Sequence, residues 1–252
     1  MEAKHIDFSY GSQQILFDIS LMIPKRKITA ILGSNGCGKS TLLQVLSRNL
    51  KQNCGEILID NKAIDNIPMK EYAKKVAIVH QVHKMPIGVT VKQLVMYGRV
   101  PYQKFYTSNT TEDEEIVEWA MHAVGISEYK DRALSALSGG QRQRAWIAMA
   151  LAQKSDYLLL DEPTTYLDVR YQKELLELLV YLNDKIGVTI VMVLHDINQA
   201  IKYSDEIICM KNGRKIFQGN TNDEIPKHIM EDIYEMKLDQ IEYENKSFFI
   251  SI

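Results

Sequence analysis

Residues 28–32, 157–160 and 189–194 are almost unbroken apolar runs, the pattern of parallel strands buried on both faces. Shorter strand-like runs at 5–10, 19–23, 56–60 and 75–79, separated by turns, fill the first eighty residues. Beyond residue 90 the period changes. Segments 91–98 and 112–125 have helical spacing, and the stretch 110–115, Thr-Thr-Glu-Asp-Glu-Glu, reads as a capped, acidic helix start. Helices are also expected at 40–50 and 142–153, with an amphipathic one at 170–186 between two buried strands. Runs 207–210 and 215–218, joined by Lys-Asn-Gly-Arg, predict a hairpin. The expectation is an α/β fold in a single domain, 1–252. It has a mostly parallel core sheet, an antiparallel β part, a helical insert at about 85–150 and a short tail at about 220–252.

Each long apolar run ends on chemistry, and open α/β sheets bind ligands at the carboxyl ends of their strands. After Leu32 comes Gly33-Ser34-Asn35-Gly36-Cys37-Gly38-Lys39-Ser40, followed by Thr41. A glycine-rich turn between strand and helix aims backbone N–H groups and a positive helix end at phosphates. Lys39 adds a charge on the terminal phosphates and Ser40 a hydroxyl for Mg²⁺, so ATP and Mg²⁺ are the expected cofactors. After Leu160 come Asp161 and Glu162. Splayed at a strand end, they suit two roles: Asp161 in the Mg²⁺ shell and Glu162 orienting or activating the attacking water. After Leu194 comes His195, either a γ-phosphate contact or a structural imidazole. Gln81, ending the 75–79 run, is either a surface residue or a contact to Mg²⁺ or the water. Tyr10 offers a ring for adenine.

A second phosphate-facing turn lies at Leu137-Ser138-Gly139-Gly140-Gln141. Ser138 is a good N-cap and the two glycines permit close approach at a positive helix end. The turn predicts ATP bound between two copies, one lending its P-loop and the other this segment.

Net charge is −2, 25% of residues are charged and no long basic block occurs, which argues against nucleic acid as a partner. No run approaches the roughly eighteen apolar residues of a membrane span, and the N-terminus lacks a signal-peptide pattern; a soluble, cytoplasmic protein is expected. Three widely spaced cysteines, Cys37, Cys54 and Cys209, make neither a metal cluster nor a disulfide framework. Cys37 stands inside the phosphate loop, whose positive field predicts a reactive thiolate there unless the loop buries the sulfur against the following helix and leaves it inert.

Walker A at 33–40, Gln81, the 137–141 turn, Walker B at 157–162, Thr-Tyr-Leu-Asp at 165–168 and His195 follow one another in the order of the ATP-binding-cassette ATPases. The resemblance spans about residues 2–220. It implies head-to-tail dimers sandwiching two ATP, with Tyr10 stacking on adenine, Asp161 on the magnesium side and Glu162 as catalytic base. It also implies His195 as switch histidine and Asp168 as a cross-dimer contact. The strings 97–102 (Tyr-Gly-Arg-Val-Pro-Tyr), 143–149, 164–168 and 193–198 are similar to importer ATPases for iron–siderophore, haem and vitamin B12 uptake. That likeness implies two membrane permease subunits as partners, an extracytoplasmic binding protein acting indirectly, and a peripheral place on the cytoplasmic face of the membrane. His80 stands where many relatives have proline. Segment 85–106 is the expected permease-docking region, with Tyr97, Tyr102, Phe105 and Tyr106 either anchors for the partner or packed inside the helical insert. A P-loop kinase has no use for the 137–141 turn, and non-transport cassettes usually pair two cassettes in one chain or add a coiled coil.

Overall fold

The computed structural model describes residues 1–81, 88–103, 110–243 and 246–251. Strands β1 (Glu2–Tyr10) and β2 (Gln13–Met22) form a hairpin turning at Gly11, and β3 (Ile28–Gly33) leaves it for the core and enters α1 (Lys39–Leu46). Strands β4 (Cys54–Ile59) and β5 (Lys62–Ala63) return to the hairpin, giving a four-stranded antiparallel sheet in the order β2-β1-β4-β5. The hairpin is longer than the alternation at 5–10 and 19–23 suggested. Irregular register around His5 and Asp18, both at positive φ, interrupts the alternation while pairing continues past it.

Helix α2 (Met69–Ala73) leads into β6 (Val76–Val79), and α3 (Val91–Tyr97), α4 (Thr111–Ala123) and α5 (Gly139–Ala152) pack on one another. The chain then alternates through β7 (Tyr157–Leu160), α6 (Val169–Ile186), β8 (Thr189–Val193), α7 (Ile197–Tyr203), β9 (Glu206–Lys211) and β10 (Arg214–Asn220). The core sheet runs β10-β9-β3-β8-β7-β6, parallel except for the β9–β10 hairpin at its edge. Every residue of β3, β7 and β8 is buried, so three apolar runs occupy adjacent central places. In α6 the buried residues Leu175, Leu176, Leu179 and Leu182 make one stripe, with Gly187 as a left-handed C-cap.

The segment expected as a tail contains α8 (Lys227–Tyr234) and two paired antiparallel strands, β11 (Leu238–Tyr243) and β12 (Lys246–Ser251). Met230, Ile233, Leu238 and Phe249 join the main apolar core.

The 97–102 string joins α3 to α5. A Cβ on Gly98 would stand 2.1 Å from the Met149 carbonyl oxygen, so only glycine permits this approach. Arg99, 3% exposed, donates to Asp113 of α4 (2.8 Å) and to the Ala152 carbonyl at the end of α5 (2.8 Å). Tyr102 lies under the Arg99 guanidinium (3.8 Å to the ring centre), and its hydroxyl donates to the Gln153 carbonyl (2.9 Å). Tyr102 is therefore engaged within the chain, as the packed alternative for these aromatics expects. Tyr97 remains half exposed, while Phe105, Tyr106 and Met85 lie outside the described residues.

Candidate active site

The carboxyl ends of β3, β6, β7 and β8 bring the loaded loops together. Gly38 takes φ 102°, a left-handed conformation at the N-cap of α1 that suits glycine, and this turn aims the first helical N–H groups into the loop. Lys39 is 4% exposed, and its ammonium donates to the Gly33 and Ser34 carbonyls, both at 2.9 Å. The amine thus lies folded along the loop that precedes it. The Ser40 hydroxyl donates to Asp161 Oδ1 at 2.8 Å, joining the start of α1 to the end of β7. The Asp161 amide bonds the Val79 carbonyl (2.9 Å), which fixes β7 against β6 two residues before Gln81. Burial pushes the Asp161 carboxyl above the ordinary aspartate range; the Ser40 hydrogen bond opposes this, and the neighbouring Glu162 charge adds to it.

Glu162 takes a positive φ of 49°, turning its side chain away from that of Asp161. Its Oε1 meets His195 Nε2 at 2.8 Å, and its Oε2 accepts from the Gln81 amide and from the Thr165 hydroxyl (3.1 Å). The side chain is only 13% exposed. Three residues from three separate loops therefore aim one carboxylate, as a general base requires. His195 is exposed rather than packed in the core.

Tyr10, half exposed at the end of β1, sets its ring edge-on to Phe8 at 4.8 Å and keeps a face free. Ser34, Asn35, Gly36 and Thr41 complete the loop and first turn as expected. Cys37 departs from expectation. It is 4% exposed, and burial pushes its thiol up despite the lowering effect of Lys39, so the loop's positive field does not yield a thiolate. The sulfur packs behind the loop, where a Cβ on Gly33 would come within 2.6 Å of it.

Ser138 and Gln141 form a reciprocal capping box: Gln141 N to Ser138 Oγ at 3.3 Å, and Ser138 N to Gln141 Oε1 at 2.9 Å. Their side chains are spent on the helix start, and Gly139 and Gly140 carry the first helical N–H groups. A Cβ on Gly139 or Gly140 would touch Leu167 or the Tyr171 ring, so the turn packs on the start of α6 and the loop before it in its own chain. Asp168 caps α6 by accepting from Tyr171 N (3.1 Å). The expected cross-dimer residue thus has a local task as well.

Two contributors escaped the sequence reading. Thr165 stands three residues after Glu162, a spacing at which a hydroxyl reaches back in a tight turn. Tyr234, whose hydroxyl donates to the His195 carbonyl (3.0 Å), had no local signal because thirty-nine residues separate the two.

Comparison with known proteins agrees with this site. A family model described as ABC transporter matches residues 16–165. The petrobactin import ATP-binding protein FpuD of Bacillus anthracis is 47% identical over 237 residues, covering 94% of this chain and 87% of its own. The iron(3+)-hydroxamate import ATP-binding protein FhuC of Bacillus subtilis is 43% identical over 236 residues, covering 94% and 88%. The dimeric bacterial ABC transporter cassette MJ0796 superposes with a TM-score of 0.74 at 28% identity, covering 87% of this chain and 97% of its own. The P-loop, the aimed carboxylate and these matches make the chain a member of the ABC transporter family, as one of its ATP-binding, ATP-hydrolysing subunits.

Proposed function

We propose that the chain is the ATPase subunit of an importer for iron(III)–siderophore complexes. It works as a head-to-tail dimer on two membrane permease subunits at the cytoplasmic face, with an extracytoplasmic binding protein delivering the chelate. The observation that carries the catalytic part is the Glu162 carboxylate held by Gln81, Thr165 and His195 beside the Ser40–Asp161 pair. The siderophore assignment is supported by relatives named for petrobactin and iron-hydroxamate import.

Ser40 Oγ and Asp161 Oδ1, 2.8 Å apart, are hard oxygen donors of the kind Mg²⁺ takes, and Mg²⁺ commonly uses one or two protein oxygens besides phosphate and water. Bound there, the ion would neutralise charge on the transferring phosphoryl group. Lys39 swings from the Gly33 and Ser34 carbonyls to the terminal phosphates, Tyr10 stacks on adenine, and Glu162 takes the proton of the attacking water. His195 holds that carboxylate in place. Residues 138–141 of the second copy present their helix N–H groups to the same nucleotide.

Mixing the Lys39→Ala and Ser138→Arg chains tests the shared site. Each alone is inactive, and at equal amounts the mixture regains about a quarter of wild-type sites, because half the dimers are mixed and each mixed dimer has one intact site. No recovery from two folded variants refutes the arrangement. Glu162→Gln should cut turnover about 10²–10⁴-fold while ATP still binds. Loss of iron(III)–siderophore uptake on deleting the gene tests the substrate class.

A further inference from the structure

The C-terminal segment grips the element that carries His195 at three points. Tyr234, the last residue of α8, donates its hydroxyl to the His195 carbonyl at 3.0 Å. The Asn198 side chain, in the first turn of α7, bonds the backbone of Phe249 in β12 in both directions, at 2.8 and 2.9 Å. Lys246 donates to the Ile201 carbonyl in the last turn of α7 at 2.7 Å. The two latter contacts hold the helix; only the Tyr234 contact holds the peptide of the histidine itself.

That peptide matters because the imidazole and the carbonyl of His195 share one Cα. Rotation of the 195 peptide re-aims Nε2, which stands 2.8 Å from Glu162 Oε1. The hydroxyl of Tyr234 is in turn fixed by its helix. Met230 and Ile233 bury one face of α8, Lys211 of β9 bonds both the carbonyl and the carboxylate of Asp232, and Glu235 ends the helix in a left-handed turn.

We propose that Tyr234 is a positioning residue for ATP hydrolysis: its hydrogen bond to the His195 carbonyl holds the imidazole on Glu162 and makes the C-terminal segment part of the catalytic assembly. The proposal rests on the roles given above to His195 and Glu162. A carbonyl whose donor is lost lets the peptide rock, and the histidine then spends less time on the carboxylate. Nucleotide affinity resides in the loop 33–41 and in Tyr10 and is untouched.

The test is steady-state ATPase of the full chain carrying Tyr234→Phe, which keeps the ring and removes only the hydroxyl. Turnover should fall about five- to tenfold, the size a single hydrogen bond commands, with KM for Mg-ATP within about twofold. Asn198→Ala loosens the same segment without touching the 195 peptide. It should lower the melting temperature at least as much while holding turnover within about twofold of wild type. In a His195→Ala background, where slow phosphate release is followed over hours, adding Tyr234→Phe should change nothing. Wild-type turnover in Tyr234→Phe, an equal loss in Asn198→Ala, or a full further loss in the His195→Ala background would each overturn the proposal. If His195→Ala itself turns over at the wild-type rate, the role given to His195 falls. If it is inactive while Tyr234→Phe is normal, only the positioning role falls.

Discussion

Arg99→Met isolates a buried charge pair that fastens α3 to α4 and α5. The side chains of Arg99 and Asp113 are 4% and 8% exposed, and their hydrogen bond is 2.8 Å long. Methionine preserves most of the apolar stem but strands the Asp113 carboxylate and leaves the Ala152 carbonyl without its guanidinium donor. Removing one partner of a buried pair costs about 3–5 kcal/mol. Asp113 keeps two donors, Thr110 N (3.1 Å) and Thr110 Oγ1 (2.9 Å), which places this case near the lower end. At about 2–4 °C per kcal/mol for a chain of this size, the melting temperature should drop ~6–12 °C. Burial pushes the Asp113 carboxyl up, but the Arg99 and Thr110 hydrogen bonds more than offset that and hold it below its ordinary value of 3.8. A lowered carboxylate pKa contributes stability that is complete above the unfolded value and lost as pH falls through the folded one. The gap between wild type and variant should therefore be full at neutral pH and narrow below pH 3.8. Adding Asp113→Leu removes the stranded charge and should recover part of the loss. Thermal unfolding followed by circular dichroism measures all three proteins. A drop under about 2 °C for Arg99→Met, or a double variant no more stable than Arg99→Met, refutes the reasoning.

Asp161→Asn should abolish ATPase activity yet raise the melting temperature at neutral pH. Burial raises the Asp161 carboxyl above 3.8, so its ionised form costs stability above that raised pKa, and the gain should vanish below pH 3.8; a gain that persists in acid argues against the cause. Alkylation of the native protein should modify exposed Cys54 first and spare Cys37 and Cys209, whose thiols burial pushes up, that of Cys209 to about 12. Peptide mass spectrometry showing Cys37 modified as fast as Cys54 would contradict the buried loop sulfur.

Much of the active site is local and was legible as such. A buried strand, a glycine turn and a helix start are consecutive in sequence, so 33–41 declares both its conformation and its chemistry. The same holds for Asp161 and Glu162 after the apolar run of β7, and for the Ser138–Gln141 capping box, whose spacing is the geometry. Hydrophobic period also fixed the core strands, because a strand covered on both faces has no polar side to show.

What only the tertiary structure decided depends on partners far along the chain. The thiol of Cys37 answers to two opposing influences, and packing behind the loop made burial prevail over the Lys39 charge. The Gly-Arg-Val-Pro-Tyr string served the sequence as a family mark, but its physical task is set by α4 and α5, which alone present Asp113 and the Ala152 and Gln153 carbonyls. Within the C-terminal segment, β12 packs on α7 and α8 on β9, contacts that no local pattern announces. Beyond the local Thr165 contact, the aim of Glu162 comes from Gln81 and His195, which only the order of strands in the sheet brings together. Local spacing specifies backbone turns and the charges they carry; relative burial and long-range donors are properties of the packed chain, and they set which of those charges are used.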